Sequence, residues 1–144
     1  MKVAGTKWQA TGIEFTVDFG LGKGFQPIET LAAAEDGEDW ARIASGCLSF
    51  TGDGKLLQMI KLPDSVTEEQ IQEAVKEGAK VEGRYLVEQE KPYSQTEEDK
   101  VSYESGTESD NPADLELFNT LTFDAEGRLK MFALFGYVIY EQLK

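Results

Sequence analysis

The sequence predicts an all-β domain: roughly eight antiparallel strands in up-and-down order, closed into a barrel, with one short helix between strands. Two observations carry this. A hairpin signature is written twice, Leu48-Ser49-Phe50-Thr51-Gly52-Asp53-Gly54-Lys55-Leu56 and Leu121-Thr122-Phe123-Asp124-Ala125-Glu126-Gly127-Arg128-Leu129. In each copy a β-rich run enters, polar residues turn the chain, and the glycine supplies the φ > 0 position that closes a short loop. The second observation is that alternating apolar segments recur along the chain, whereas only one segment has a full set of helix start and stop signals. Hairpin-linked strands expose two edges unless the first strand joins the last, which is the argument for closure.

Trp8 to Val17 is the first strand, with Ile13, Phe15 and Val17 on one face and Glu14 and Thr16 on the other. Gly20-Leu21-Gly22-Lys23-Gly24 follows as a turn or bulge. A phosphate-cradling loop would need a helix N-terminus directly after the glycines, and Phe25-Gln26-Pro27-Ile28 does not start one. Phe25 to Ala34 fits a strand or a short helix, and Pro27 inside the run favours strand. Asp36-Gly37-Glu38-Asp39 is an acidic turn lacking the spacing and closing Glu of a calcium loop. Trp40 to Phe50 and Lys55 to Leu62 form the first repeated hairpin, with Leu56, Gln58, Ile60 and Leu62 on one side.

The helix comes next. Thr67 is an N-cap with Gln70 as its capping-box partner, Val66 and Ile71 are placed for a hydrophobic staple, and Glu68 and Glu69 lie at the positive helix end. Gly78 terminates it. Its narrow apolar stripe suits a connection between strands or a lid over a cavity. Lys80 to Glu88 and Lys100 to Ser105 read as strands, and Ser105 to Ala113 as a mobile loop. Leu117 to Phe123 and Arg128 to Tyr140 make the second hairpin. The last run is apolar on both faces, so helix, loop or a second subunit must cover it from outside the sheet.

A chain of 144 residues and 16.0 kDa fits one domain, residues 1–144, with a core large enough to need no disulfide or metal. The formal charge of -13, from 27 acidic against 14 basic side chains, argues against nucleic acid and anionic membrane surfaces as partners. Much of the acidity lies between Glu88 and Glu116, read as a solvated loop and edge strand or, alternatively, as a site for a cation or a basic partner. Cys47 is the one cysteine, set in an apolar strand, and reads as a buried inert thiol. The N-terminus has no apolar signal region and no run has the length of a membrane span, so the chain reads as cytoplasmic, or as an exported protein whose signal has been removed.

Gly5-Thr6-Lys7-Trp8, the repeated hairpin and the terminal Tyr137-Val138-Ile139-Tyr140-Glu141 strand resemble the small bacterial lipocalin-like, or calycin, domains. In that group a Gly-x-Trp in the first strand closes one end of the barrel and a basic residue of the last strand lies over the indole. Here the spacing is Gly-x-x-Trp, and Lys144 is the basic residue available after Lys130. The resemblance implies a barrel holding one small hydrophobic ligand, without a cofactor or metal. Trp40, Tyr85, Tyr103 and Phe132, large and spread over different strands, are the candidate ligand contacts, with ordinary core as the competing account. Trp8 is expected to be a structural plug.

Histidine is absent, which removes the commonest general base, the Ser-His and Cys-His pairs and His-containing zinc sites. A non-catalytic binding domain is therefore expected. One alternative is a cone-like α+β barrel enzyme of the isomerase or dehydratase type, using a buried carboxylate such as Glu14. The other is an acidic protein-interaction or homodimerisation domain, built on the doubly apolar last strand.

Overall fold

In the computed structural model, which describes residues 2–18, 22–33, 40, 42–43, 45–106, 108–133 and 136–143, both copies of the hairpin signature fold alike. The amide of Thr51 bonds the Lys55 carbonyl at 2.8 Å and that of Asp124 bonds the Arg128 carbonyl at 2.9 Å. Gly54 and Gly127 take φ of 92° and 79°, values that cost an L side chain steric strain. The first loop residue braces each turn: the Thr51 hydroxyl accepts from the Lys55 amide, and Asp124 Oδ1 accepts from the Glu126 and Arg128 amides.

Among the described residues ten strands run in chain order: β1 (Lys7–Phe15), β2 (Gly24–Pro27), β3 (Gly46–Phe50), β4 (Lys55–Lys61), β5 (Val81–Glu82), β6 (Tyr85–Glu97), β7 (Lys100–Tyr103), β8 (Thr120–Phe123), β9 (Leu129–Ala133) and β10 (Gly136–Leu143). Eight of them form a closed antiparallel barrel in the order β1-β3-β4-β6-β7-β8-β9-β10, and β10 returns to pair with β1. β2 and β5 are short additions to β1 and β6. Among the described residues three short helices join the strands: α1 (Ile28–Ala32), α2 (Glu68–Lys76) and α3 (Pro112–Phe118). No described helix is long and apolar enough to cross a membrane.

The end of the barrel carrying the two repeated hairpins is packed solid. Trp8, Phe50, Leu56, Val101, Leu121 and Leu129 meet there at 0–1 % exposure, with Val3 joining the cluster from the N-terminal segment. Trp8 donates its indole N–H to Thr6 Oγ1 at 2.8 Å and packs on Phe123 at 5.5 Å, so its one polar atom is satisfied inside the core. At the other end, β1 delivers Ile13 and Phe15 to a second cluster with Leu31 of α1, against which Ile28, Trp40 and Ile43 pack.

Several elements differ from the sequence reading, each for a local reason. Pro27 does not exclude a helix from the Phe25–Ala34 run; with ψ of 153° it stands as the residue before α1, leaving β2 only four residues. Trp40, Arg42 and Ile43 are helical, so the first hairpin begins at Gly46. Leu117 belongs to α3, which starts at an Asn111 cap with Pro112 in its first turn, and β8 begins only at Thr120. The reading of Lys80 to Glu88 as one strand breaks at Gly83, where φ of 58° reverses the chain between β5 and β6. The apolar run of Arg128 to Tyr140 is two strands paired through Ala133 and Gly136, which resets the alternation. The acidic turn at 36–39 lies outside the described residues.

The outer face of β9 and β10 is covered from within the chain. Phe118 of α3 packs on Phe132 at 5.0 Å, Phe132 on Tyr137 at 5.6 Å, and the Lys130 ammonium lies 4.3 Å over the Tyr137 ring. Phe25 of β2 lies across Gly12, where an added Cβ would come within 2.5 Å of its ring. Ile139 is 0 % exposed under this cover.

Candidate functional site

The open end of the barrel holds a cavity of about 200 Å³. Its floor is made by inward side chains of four strands, Leu48 of β3, Ile60 of β4, and Met131 and Val138 of β9 and β10, with Ile43 entering from the helical segment before β3. These residues point inward for a simple reason. Each alternates with an outward neighbour in a strand whose other inward positions belong to the packed cluster around Trp8.

Four polar groups line the same space: Arg42, Gln58, Glu88 and Tyr140. Tyr140 is 6 % exposed, and among the described residues its hydroxyl has the Met131 sulfur, at 4.0 Å, as a weak acceptor. Burial pushes its pKa up, and neighbouring Tyr103 and Cys47 add to the effect, so the group stays a neutral donor. Burial also raises the Cys47 thiol, which fits an inert sulfur in the wall.

Glu88 reaches the cavity through a backbone irregularity. Gln58 pairs with Gln89 while Met59 pairs with Val87, so Glu88 is an extra residue in β6. A bulge of this kind sets two residues against one and re-aims a side chain that strict alternation would send elsewhere. Here it puts a carboxylate on the lining beside Gln58.

The sequence-predicted contacts are not brought together. Trp40 packs edge-on against Phe15 at 5.7 Å in the cluster beside the mouth, and Tyr103 is an interior core residue whose phenol is pushed up to about 12 by burial. Tyr85 lies on the outer wall with Leu57, Met59 and Val87, and Phe132 is the outward residue stacked between Phe118 and Tyr137. The cavity is lined instead by Met131, Val138 and Tyr140 of the last two strands and by Glu88. No sequence signal marks the bulge that places Glu88.

Outside the barrel, Glu14 faces away from the interior and pairs with Lys130 at 3.2 Å. A second depression, of about 270 Å³, surrounds Glu90, whose two carboxylate oxygens meet Lys55 at 2.8 Å and Lys80 at 2.5 Å. Hydrogen bonds from these two ammoniums, Lys55 first, pull the carboxyl down to about 2. α2 is held by Arg84, whose guanidinium donates to the Pro63 and Val66 carbonyls at 2.7 and 2.9 Å. Among the described residues no group of three acidic or thiol side chains is placed to hold a metal ion. Comparison with protein-family models, with characterised proteins and with solved structures gives no match.

Proposed function

We propose that this protein is a lipocalin-like binding module that takes a small, largely apolar molecule into the open end of its barrel and does no chemistry of its own. The observation that carries this is the cavity of about 200 Å³ at the end of the barrel away from the repeated hairpins, lined by Leu48, Ile60, Met131 and Val138. A mostly apolar lining with a few polar groups is the composition of small-molecule sites. The volume lies below the roughly 300–1,000 Å³ of drug-sized pockets, so the ligand is small or leaves part of itself outside the mouth. Absence of histidine and the outward, ion-paired position of Glu14 speak for binding rather than catalysis.

Native mass spectrometry of protein purified gently from its source, repeated after denaturing extraction, tests the proposal directly. A small mass lost on denaturation is the expected result. In parallel, the Met131 methyl resonance should shift saturably with a neutral probe such as benzyl alcohol, since an apolar cavity of about 150 Å³ already accepts a benzene ring. A Val138→Phe variant that keeps its melting temperature should fill the space and abolish the shift. No co-purifying mass together with no saturable shift at millimolar probe would reject the reading.

A further inference from the structure

We infer that the cavity selects an uncharged carbonyl compound, whose oxygen accepts a hydrogen bond from the Tyr140 hydroxyl while its hydrocarbon part lies on the floor formed by Leu48, Met131 and Val138. This rests on the binding reading above and adds the functional group of the ligand.

The first observation is a buried donor without a strong acceptor. Tyr140 is an inward residue of β10, 6 % exposed, in the same cluster as Val138. Among the described residues its hydroxyl has one partner, the Met131 thioether at 4.0 Å, and sulfur is a weak acceptor. A buried hydroxyl ordinarily meets an oxygen or a nitrogen, as that of Tyr93 does by donating to the Thr51 carbonyl at 2.8 Å. The Tyr140 oxygen sits at the cavity. Met131 lines it, and so does Gly46, where an added Cβ would stand 3.8 Å from that oxygen. Glycine at this position leaves the approach to the hydroxyl uncovered on that side. The neighbouring Tyr103 lines a separate depression with Tyr93 and Glu104, so Tyr140 is the phenol of this cavity.

The second observation is the character of the remaining polar groups. Burial keeps the Tyr140 phenol protonated, so it offers a proton and no charge. Gln58, half-buried and paired with Leu48 across β3 and β4, is neutral as well. Arg42 and Glu88 are both exposed and opposite in sign, which leaves the lining without a net charge to favour an ion. A carboxylate would give up its hydration for an apolar floor and neutral donors, a far larger loss than a carbonyl group incurs. A hydrocarbon or an ammonium has no lone pair for the hydroxyl, and an alcohol brings a donor that needs an acceptor of its own. A carbonyl oxygen needs only what Tyr140 supplies.

The test is a titration of the full chain, native and Tyr140→Phe, with acetophenone, ethylbenzene and benzoate at neutral pH, read by the Met131 methyl resonance. The variant keeps the ring and should keep the melting temperature. It should bind acetophenone about threefold to tenfold more weakly than the native chain, the range of one neutral hydrogen bond, and bind ethylbenzene equally well. Benzoate should bind more weakly than acetophenone. On the native chain alone, the carbonyl stretch of bound acetophenone should lie at lower frequency than that of the free ketone in an alkane solvent, which reports the hydrogen bond without any substitution. An unshifted carbonyl stretch, equal loss of acetophenone and ethylbenzene in Tyr140→Phe, or tighter binding of benzoate than of acetophenone overturns the inference and leaves the cavity as a binding site. Failure of all three probes to bind the native chain rejects the binding reading and this inference with it.

Discussion

Glu90 shows how a single side chain ties the outer wall of the barrel to pH. Its carboxylate bridges Lys55 of β4 and Lys80 before β5, and the two ammoniums hold its pKa near 2 against an ordinary 4.5. Because the folded value is the lower one, the linked stability is fully present above the unfolded pKa and is lost as pH falls through the folded one. The difference in melting temperature between the native chain and a Glu90→Gln variant should therefore be constant above about pH 5, shrink below it, and be lost only as pH falls through and below about 2. A difference that stays constant over the whole range would show that the two ion pairs contribute no pH-linked stability. Gly136 makes a second prediction at this scale. It has φ of 147°, and a Cβ there would run into the Glu14 carbonyl of the neighbouring strand. Gly136→Ala should cost more than about 2 kcal/mol in denaturant unfolding, against under about 1 kcal/mol for a tolerated Gly→Ala change.

At the scale of an element, α2 combines the clearest sequence signal with a specific anchor. The Thr67 hydroxyl accepts from the Gln70 amide at 3.2 Å, the Gln70 side chain accepts from the Thr67 amide at 2.9 Å, and Arg84 fastens the preceding loop. Past the helix end, the Ala79 and Gly78 amides return to the Ala74 and Val75 carbonyls, so the last turn is capped as well. Thr67→Ala removes one of the two reciprocal bonds and should cost about 1 kcal/mol. A loss below about 0.2 kcal/mol would mean that α2 unravels before the barrel and does not share its cooperative transition.

For the whole molecule, the contrast between the packed hairpin end and the cavity at the other end is the property to measure. Trp8 is 0 % exposed in the filled half, and Trp8→Ala should cost about 3–5 kcal/mol, enough to remove much of the stability of a domain this size. Met131 is half-buried beside the cavity, where space already exists, and Met131→Ala should cost less than about 2 kcal/mol. Equal costs at the two sites would show that the interior is uniformly packed, and with it the binding reading would lose its basis.

Local physics made much of this protein legible in the chain itself. The two turn sequences ending in Gly54 and Gly127, the capped helix after Thr67 and the alternation of Ile13 and Phe15 specify strands, turns and one helix without reference to anything distant. A hairpin-linked set of about eight strands then has closure as its way of hiding edges. The lipocalin-like likeness and the binding role remain the proposal argued above. What the tertiary structure alone decided is which side of the barrel each residue occupies. Period-two alternation fixes faces only up to a phase, and every reversal or bulge resets that phase. The reversal at Gly83 and the one between Ala133 and Gly136 split runs that read as continuous, sending Tyr85 and Phe132 to the outer wall. The bulge at Glu88 carried an unremarkable surface glutamate onto the cavity lining, because an extra residue in β6 is defined by its partner Gln58 in β4 and not by its own neighbours in sequence.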